Sequence, residues 1–140
     1  MSVVNENTIY VKLTSDKCCC VLNFNKLLNI HNNAITHYYI KDYSTDYDLQ
    51  LQYRYKAPEI YVNGSTVKDL LNTKIAANTD DKHFNSDAIL TINGYKLVFS
   101  PNNVICKFKV ELHHIDNNVT DVYVEITLEV ENNSIIFNKL

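Results

Sequence analysis

The sequence predicts an all-β, mainly antiparallel fold: a β-sandwich or a partly open β-barrel of about eight strands with one short helix. Two long segments in the second half of the chain alternate strictly between apolar and polar residues, and shorter segments rich in β-branched and aromatic residues are separated by turn-forming residues. No segment alternates strand with helix, as a parallel sheet would require. A chain of 140 residues has the size of one domain, so residues 1–140 are expected to form a single β-rich domain.

The two alternating segments, residues 104–112 and 122–130, define the centre of the predicted fold. Successive side chains of a strand point to opposite faces, so a period of two gives each segment one apolar and one polar face. Between them, Asp116, Asn117 and Asn118 tolerate a tight turn. The segments therefore predict a hairpin whose apolar face must be covered by a second layer. The apolar positions are Val104, Cys106, Phe108, Val110, Leu112, Val122, Val124, Ile126, Leu128 and Val130.

The first half of the chain contributes three or four further strands. Residues 8–14 and 49–55 alternate apolar and polar side chains, and residues 34–43 are rich in β-branched and aromatic types. Residues 18–24 form a continuous apolar run, which predicts a strand buried on both faces. Residues 25–33 fit a single helical turn or a loop, and their asparagines favour the loop.

Residues 66–75 carry the helical spacing of apolar side chains that predicts the one helix. Ser65 or Thr66 is suited to cap its N-terminus. The preceding Asn63-Gly64 is a turn signal, because both residue types accept a positive φ. The following residues 76–87 are mostly polar and predict a mobile loop.

A second hairpin is predicted from residues 88–92 and 95–99, which Asn93-Gly94 joins. Asn-Gly between two strand-like segments is the strongest short-range hairpin signal, because it fits a type I′ turn. Residues 59–62 form a short extended piece, and residues 134–137 offer one last strand.

Composition limits the partners and the compartment. With 13 basic and 16 acidic residues the formal charge is −3, so no basic field attracts nucleic acid or a membrane surface. The chain is rich in Asn, Ile, Lys and Tyr, which AT-rich codons encode, and this indicates a large DNA virus or a protozoan as its source. The start of the chain lacks a signal peptide and no segment is long and apolar enough to span a bilayer, so an intracellular, soluble protein of the cytoplasm or nucleus is expected.

The cysteines, histidines and glycines that could suggest a catalytic or metal-binding site are better explained by their roles in packing and turns. Cys18, Cys19 and Cys20 are adjacent, and adjacent side chains of a strand diverge, so we interpret them as small apolar residues. His113 is predicted to point outward and His114 inward, which separates two potential zinc ligands. The two glycines lie in separate turns, which excludes the usual phosphate-binding loops. No catalytic motif is present, so we expect neither an enzyme nor a bound metal or cofactor.

Tyrosine is concentrated between residues 38 and 61, where two of the predicted strands lie. Tyrosine combines a large apolar ring with a polar tip and is enriched at recognition surfaces. Tyrosine that only fills the core and the sheet edges would give the same clustering. The tyrosines predicted to form an interface are Tyr38, Tyr39, Tyr43, Tyr53, Tyr55 and Tyr61.

These observations favour a non-enzymatic structural or interaction protein that acts by protein–protein association, either with itself as a homo-oligomer or with a partner. An accessory protein of an AT-rich virus fits this description. The alternative is a β-barrel that binds a small ligand or processes a nucleotide. In that case Asp80, Asp81 and His83, within the predicted 76–87 loop, would close over a site at the mouth of the barrel.

Overall fold

The computed structural model describes residues 2–45, 60–80, 85–95 and 103–129, and β-strands dominate these ranges. The all-β, mainly antiparallel fold is confirmed. The described ranges hold two one-turn helices, α1 (Phe24–Leu27) and α2 (Val67–Leu70), where the sequence predicts one. Their strands are β1 (Ser2–Asn5), β2 (Thr8–Thr14), β3 (Cys19–Asn23), β4 (Ile35–Thr45), β5 (Tyr61–Val62), β6 (Ser65–Thr66), β7 (Ile75–Ala76), β8 (Asn78–Asp80), β9 (Asn85–Asp87), β10 (Ile89–Asn93), β11 (Val104–His114) and β12 (Val119–Glu129).

The larger sheet has six strands in the order β1-β2-β12-β11-β4-β7. β11 and β12 form the predicted central hairpin, with antiparallel pairing from Val104 opposite Leu128 to His113 opposite Val119. β4 pairs antiparallel with the other side of β11, whereas β2 pairs parallel with β12. This parallel pair departs from the predicted antiparallel arrangement. β2 and β12 are more than 100 residues apart, so no local turn specifies their relative direction.

The predicted alternation of the central hairpin is confirmed by burial. Every predicted apolar position of β11 and β12 within the described residues is buried, while the residues between them are half-buried or exposed. The predicted first strand coincides with β2, where Ile9, Val11 and Leu13 are buried. One face of the six-stranded sheet is therefore apolar and covered, and the opposite face carries the polar side chains.

The smaller sheet has four strands in the order β3-β10-β5-β6. β5 and β6 form a two-residue hairpin around Asn63 and Gly64, whose φ values of 50° and 85° confirm the predicted turn. The buried side chains of this sheet, such as Leu22, Leu90 and Ile92, belong to the same core as those of the six-stranded sheet. The two sheets thus share a single apolar core.

Tyr38 links the two sheets through hydrogen bonds of its hydroxyl group. Its hydroxyl donates to the carbonyl oxygen of Ile89 at 2.7 Å and accepts from Nδ2 of Asn63 at 3.0 Å. Burial raises the pKa of Tyr38 to about 12, although the hydrogen bond from Asn63 lowers it in part. Oδ1 of Asn63 also accepts from the backbone N–H of Thr91 at 2.9 Å. The turn between β5 and β6 is therefore tied to both β4 and β10.

The predicted helix at residues 66–75 is wrong in extent. α2 has four residues, Val67–Leu70, and Ile75 lies in β7 instead. Thr66 is the N-cap, as predicted, and its Oγ1 accepts from the backbone N–H of Asp69 at 3.2 Å. The apolar spacing of this segment reflects two different contacts with the core, one through α2 and one through Ile75.

The prediction that residues 18–24 form a strand buried on both faces is also wrong. β3 covers Cys19–Asn23, and only Leu22 is fully buried within it. Cys19 is exposed, and Val21 is 64% exposed. Since β3 pairs with β10 at the end of the strand order of its sheet, it contributes one face to the core.

The mobile loop predicted at residues 76–87 is wrong as well. β8 and β9 form an antiparallel hairpin with Asn78 opposite Asp87 and Asp80 opposite Asn85. Ala76 pairs with His37 on β4, which attaches the start of this segment to the six-stranded sheet. The polar side chains of this two-stranded hairpin resemble a loop in composition.

Several predicted elements lie outside the described residues. These are the strand at 49–55, most of the second arm at 95–99, Val130 and the last strand at 134–137. β10 ends at Asn93, where the predicted Asn93-Gly94 turn begins.

Candidate functional site

The predicted tyrosine interface is not assembled as one surface among the described residues. Tyr38 is wrong as an interface residue, because its side chain is fully buried in the core. Tyr43 is half-buried, with its hydroxyl 4.0 Å from Sγ of the buried Cys106. Tyr61 is half-buried on β5, in the smaller sheet. Of these, only Tyr39 lies on the polar face of the six-stranded sheet, next to His113.

Tyr53 and Tyr55 lie outside the described residues. The pairing of their strand with residues 34–43, on which the predicted patch depends, therefore stays a prediction.

The six-stranded sheet instead presents a different aromatic surface. We call its polar side the outer face, and it is formed by the side chains of β2, β4, β11 and β12 that alternate with buried ones. Tyr10 and Tyr123 stand on it with 41% and 52% of their surface exposed. Its charged and aromatic residues are Tyr10, Lys12, His37, Tyr39, Lys41, Asp42, Lys107, Lys109, Glu111, His113, Asp121, Tyr123, Glu125 and Glu129.

A cavity of about 270 Å³ lies on the outer face between Tyr10 and Tyr123. Lys107, Phe108 and Lys109 also line it. Typical small-ligand pockets measure roughly 300–1,000 Å³, so this one is small for an enclosed ligand.

A second cavity, of about 490 Å³, lies on the smaller sheet and is lined by Tyr61, Gly64, Thr91, Asn93 and Tyr95. Its lining contains no carboxylate, imidazole, thiol or amine side chain.

The strand register arranges charge on the outer face in rows that run across the strands. The acidic row consists of Tyr39, Glu111 and Asp121, which are directly opposite one another on β4, β11 and β12. The basic row lies two residues further along the same strands and consists of Lys41, Lys109 and Tyr123. Each row thus carries one aromatic ring and two charges of one sign.

Ion pairs within the chain connect these rows. Glu111 lies 3.4 Å from Nζ of Lys41 and 3.6 Å from Nζ of Lys109. Partial desolvation lowers the pKa of Lys109, but the carboxylates of Asp121, Asp42 and Glu111 outweigh it and raise the pKa overall. Further pairs on the face are Lys107–Glu125 at 3.4 Å, Lys109–Asp42 at 3.6 Å and Lys12–Glu129 at 3.0 Å.

The outer face is close to neutral as a whole. Four lysines stand against five carboxylates in the set defined above, a net charge of −1 with neutral histidines. Proteins that bind single-stranded nucleic acid combine aromatic stacking with a positively charged groove. The aromatic rings are present here, but the positive groove is not.

An aromatic cluster occupies one end of the outer face. The rings of His37 and His113 stack with centroids 4.5 Å apart and an angle of 14° between them. Tyr39 meets both rings edge-on, at 5.5 Å and 5.1 Å. Oγ1 of Thr36 lies 2.8 Å from Nδ1 of His37, and Nε2 of His113 lies 3.7 Å from Glu111. This arrangement confirms that His113 points outward.

The His37–His113 stack makes stability depend on pH. Burial, followed by the charges of His113 and Lys74, lowers the pKa of His37 below its ordinary 6.5. The unfolded chain therefore binds this proton more readily. The stabilisation from neutral His37 is fully present above pH 6.5 and is lost as the pH falls below it, toward the pKa of the folded state.

We expect the free energy of unfolding, measured by urea denaturation, to decrease between about pH 7.5 and about pH 5.5. In His37→Phe, which keeps a stacked ring without a titrating group, the decrease should be smaller. An equal decrease in the two proteins would show that His37 is not the responsible group.

The cysteines and the other histidines of the described ranges do not gather into a cluster of metal ligands. In the described ranges no three His, Cys, Asp or Glu side chains converge to hold a metal ion. Burial and the neighbouring Cys18 raise the pKa of Cys19, and burial raises that of Cys20, which disfavours the thiolate at both positions. His114 is half-buried and Nε2 lies 2.7 Å from Oγ1 of Thr120, as a structural histidine requires.

The residues of the alternative ligand site are only partly covered by the structure. Asp80 ends β8, while Asp81 and His83 lie outside the described residues. That hypothesis therefore stays untested.

Comparison with known proteins adds no functional assignment. No protein-family model matches the chain, and no curated protein is significantly similar to it in sequence. Within the described part of the chain, neither α1 nor α2 has the length and apolarity needed to cross a bilayer.

Proposed function

We propose that this chain is a non-enzymatic association domain that binds a second copy of itself through the outer face. The exposure of Tyr10 and Tyr123 on a nearly neutral sheet face carries the proposal. Partly exposed tyrosines bring large apolar area to an interface at a low entropy cost, and they are enriched among the residues that dominate binding energy.

A second copy is a suitable occupant because the face carries both signs of charge in nearly equal number. A face with one dominant charge would repel an identical face, whereas a mixed one can complement itself. The same mixture disfavours nucleic acid, whose affinity depends on a surplus of Lys and Arg.

Light scattering coupled to size-exclusion chromatography tests the proposal. The wild-type mass is expected to rise from 16.2 kDa toward twice that value as the concentration increases. Replacing both exposed tyrosines, Tyr10→Ser and Tyr123→Ser, should weaken association at least roughly tenfold, since each removes an anchor ring.

Tyr95→Ser is the matched control. Tyr95 is 57% exposed but follows β10 in the smaller sheet, so this variant should associate like the wild type. A wild type that keeps the monomer mass at all concentrations, or a double variant that associates normally, would contradict the proposal.

A further inference from the structure

The charge rows of the outer face restrict how two copies can meet. The acidic row and the basic row are neighbours on the same three strands, and together they cover the middle of the face. Like charges that face each other across an interface are destabilising, and opposite charges fix the orientation of the partners. The positions of the two rows can therefore select one arrangement of two copies among those that are geometrically possible.

We propose that two copies pack outer face to outer face around a two-fold axis that runs across the strands, between the acidic and the basic row. This inference rests on the proposed self-association and specifies its geometry. A rotation about that axis keeps each strand opposite its own counterpart but exchanges the two rows. The acidic row of each copy then lies over the basic row of the other.

The exchange creates three complementary contacts, each occurring twice. Glu111 lies opposite Lys109 of the second copy, which forms an ion pair between carboxylate and ammonium. Tyr39 lies opposite Lys41 of the second copy, where the ammonium can sit over the ring. The latter contact already has a counterpart within one chain, because Nζ of Lys41 lies 5.7 Å from the centroid of the Tyr39 ring.

The third contact involves Asp121 and Tyr123. Asp121 lies opposite Tyr123 of the second copy, whose hydroxyl can donate to the carboxylate. All three strands that contribute to both rows, β4, β11 and β12, therefore place a complementary partner opposite each residue of the acidic row.

A two-fold axis parallel to the strands gives the opposite result. That rotation places the acidic row over the acidic row and the basic row over the basic row. With that axis along β11, Glu111 and Lys109 would each face their own counterpart in the second copy, while Asp121 would face Tyr39 and Lys41 would face Tyr123. Such like-charge contacts cost several kcal/mol in an interface, so this arrangement is disfavoured.

The size of the face is sufficient for a specific dimer. The four strands of the outer face are up to 11 residues long. With about 4.8 Å between strands and about 3.4 Å per residue, the area of the face is roughly 700 Å² per copy. About 1,400 Å² in total falls within the usual range of specific interfaces, roughly 1,200–2,000 Å². Because the contact between Glu111 and Lys109 is an ion pair, added salt should weaken the dimer.

Three charge variants test the geometry. The acidic-row variant carries Glu111→Lys and Asp121→Lys, and the basic-row variant carries Lys41→Glu and Lys109→Glu. The exchanged variant carries all four substitutions, which reverse the charges but keep the rows complementary. We expect each single-row variant to dimerise at least roughly tenfold more weakly than the wild type, and the exchanged variant to dimerise within about threefold of it.

Mixing experiments distinguish the two axes. The exchanged variant should not form mixed dimers with the wild type, because each of its rows would then meet a row of the same sign. With the axis parallel to the strands, rows of like sign would meet in both homodimers, so the exchanged variant would pair with the wild type more tightly than either protein pairs with itself. Energy transfer between differently labelled proteins reports the mixed dimer directly.

The exchanged variant keeps the Lys41–Glu111 and Lys109–Glu111 pairs in reversed form but loses the Lys109–Asp42 pair, so its thermal unfolding is the control for folding. If it does not fold, an equimolar mixture of the two single-row variants replaces it, and a restored dimer is expected there. Dimerisation of the single-row variants at wild-type strength, or failure of both rescues, would overturn the row pairing while leaving self-association intact. A wild type without any dimer would instead contradict the proposed function itself.

Discussion

Replacing Ile126 with alanine is expected to lower the free energy of unfolding by about 3 kcal/mol. Ile126 is fully buried, and its neighbours across the sheet are Cys106 on β11 and Val11 on β2. Strands are hydrogen-bonded to β12 on both sides, so they cannot move in to fill the space. The variant loses both the transfer free energy of the removed atoms and the contacts around the remaining cavity.

Thr127→Ala is the matched control for this substitution, because Thr127 is adjacent on β12 but belongs to the opposite, half-buried face. It should cost less than about 1 kcal/mol. Urea denaturation of the two variants and the wild type gives both values. A larger loss at Thr127 than at Ile126 would mean that the faces of β12 are reversed, and the fold described above would be wrong.

Replacing Asn25 with alanine is expected to destabilise the protein by a similar amount, about 3 kcal/mol. Asn25 lies in α1 and is buried. Its Nδ2 donates to the carbonyl oxygen of His31 at 2.7 Å, and its Oδ1 accepts from the backbone N–H of Ala88 at 2.8 Å. The variant leaves the buried backbone N–H of Ala88 without a partner, which costs roughly 1–3 kcal/mol. It also removes one of the two hydrogen bonds to the carbonyl oxygen of His31, which keeps the bond from the N–H of Ala34 at 3.2 Å.

Asn32→Ala provides the comparison, since Asn32 is an exposed turn residue of the same segment and should cost less than about 0.5 kcal/mol. Hydrogen exchange adds a local measurement: the amide of Ala88 should exchange faster in Asn25→Ala and remain protected in Asn32→Ala. Unchanged stability in both variants would show that the Asn25 side chain does not bridge these two backbone groups.

The contrast between Ile126 and Asn25 shows where sequence reasoning succeeds. The burial of Ile126 follows from the alternation along β12, because a strand with one covered face leaves few other arrangements. Asn25 belongs to a segment whose asparagines favour a loop, and nothing in the sequence sets it apart from Asn29 or Asn32. Its role depends on Ala88, 63 residues away.

The candidate site shows a similar division. Tyr10, Tyr123 and His113 occupy outward positions of alternating strands, so the sequence already indicates that they are accessible. The clustering of tyrosines between residues 38 and 61 is a weaker signal, because it includes the buried Tyr38. A high number of tyrosines in one stretch of sequence does not show that they share a surface. The alternation of side chains along a strand does, because residues two apart lie on the same face.

The amino-acid sequence by itself determined the strand character of the chain, the central hairpin with its buried and outward positions, and the turn at Asn63-Gly64. These features depend on contacts between residues close in the sequence and on the alternation of side chains along a strand. Only the tertiary structure decided that β2 lies parallel to β12, that Tyr38 joins the two sheets, and that the acidic and basic rows lie side by side. Those features depend on the register between distant strands, because pairing with a partner far away in the sequence places side chains from different strands next to each other.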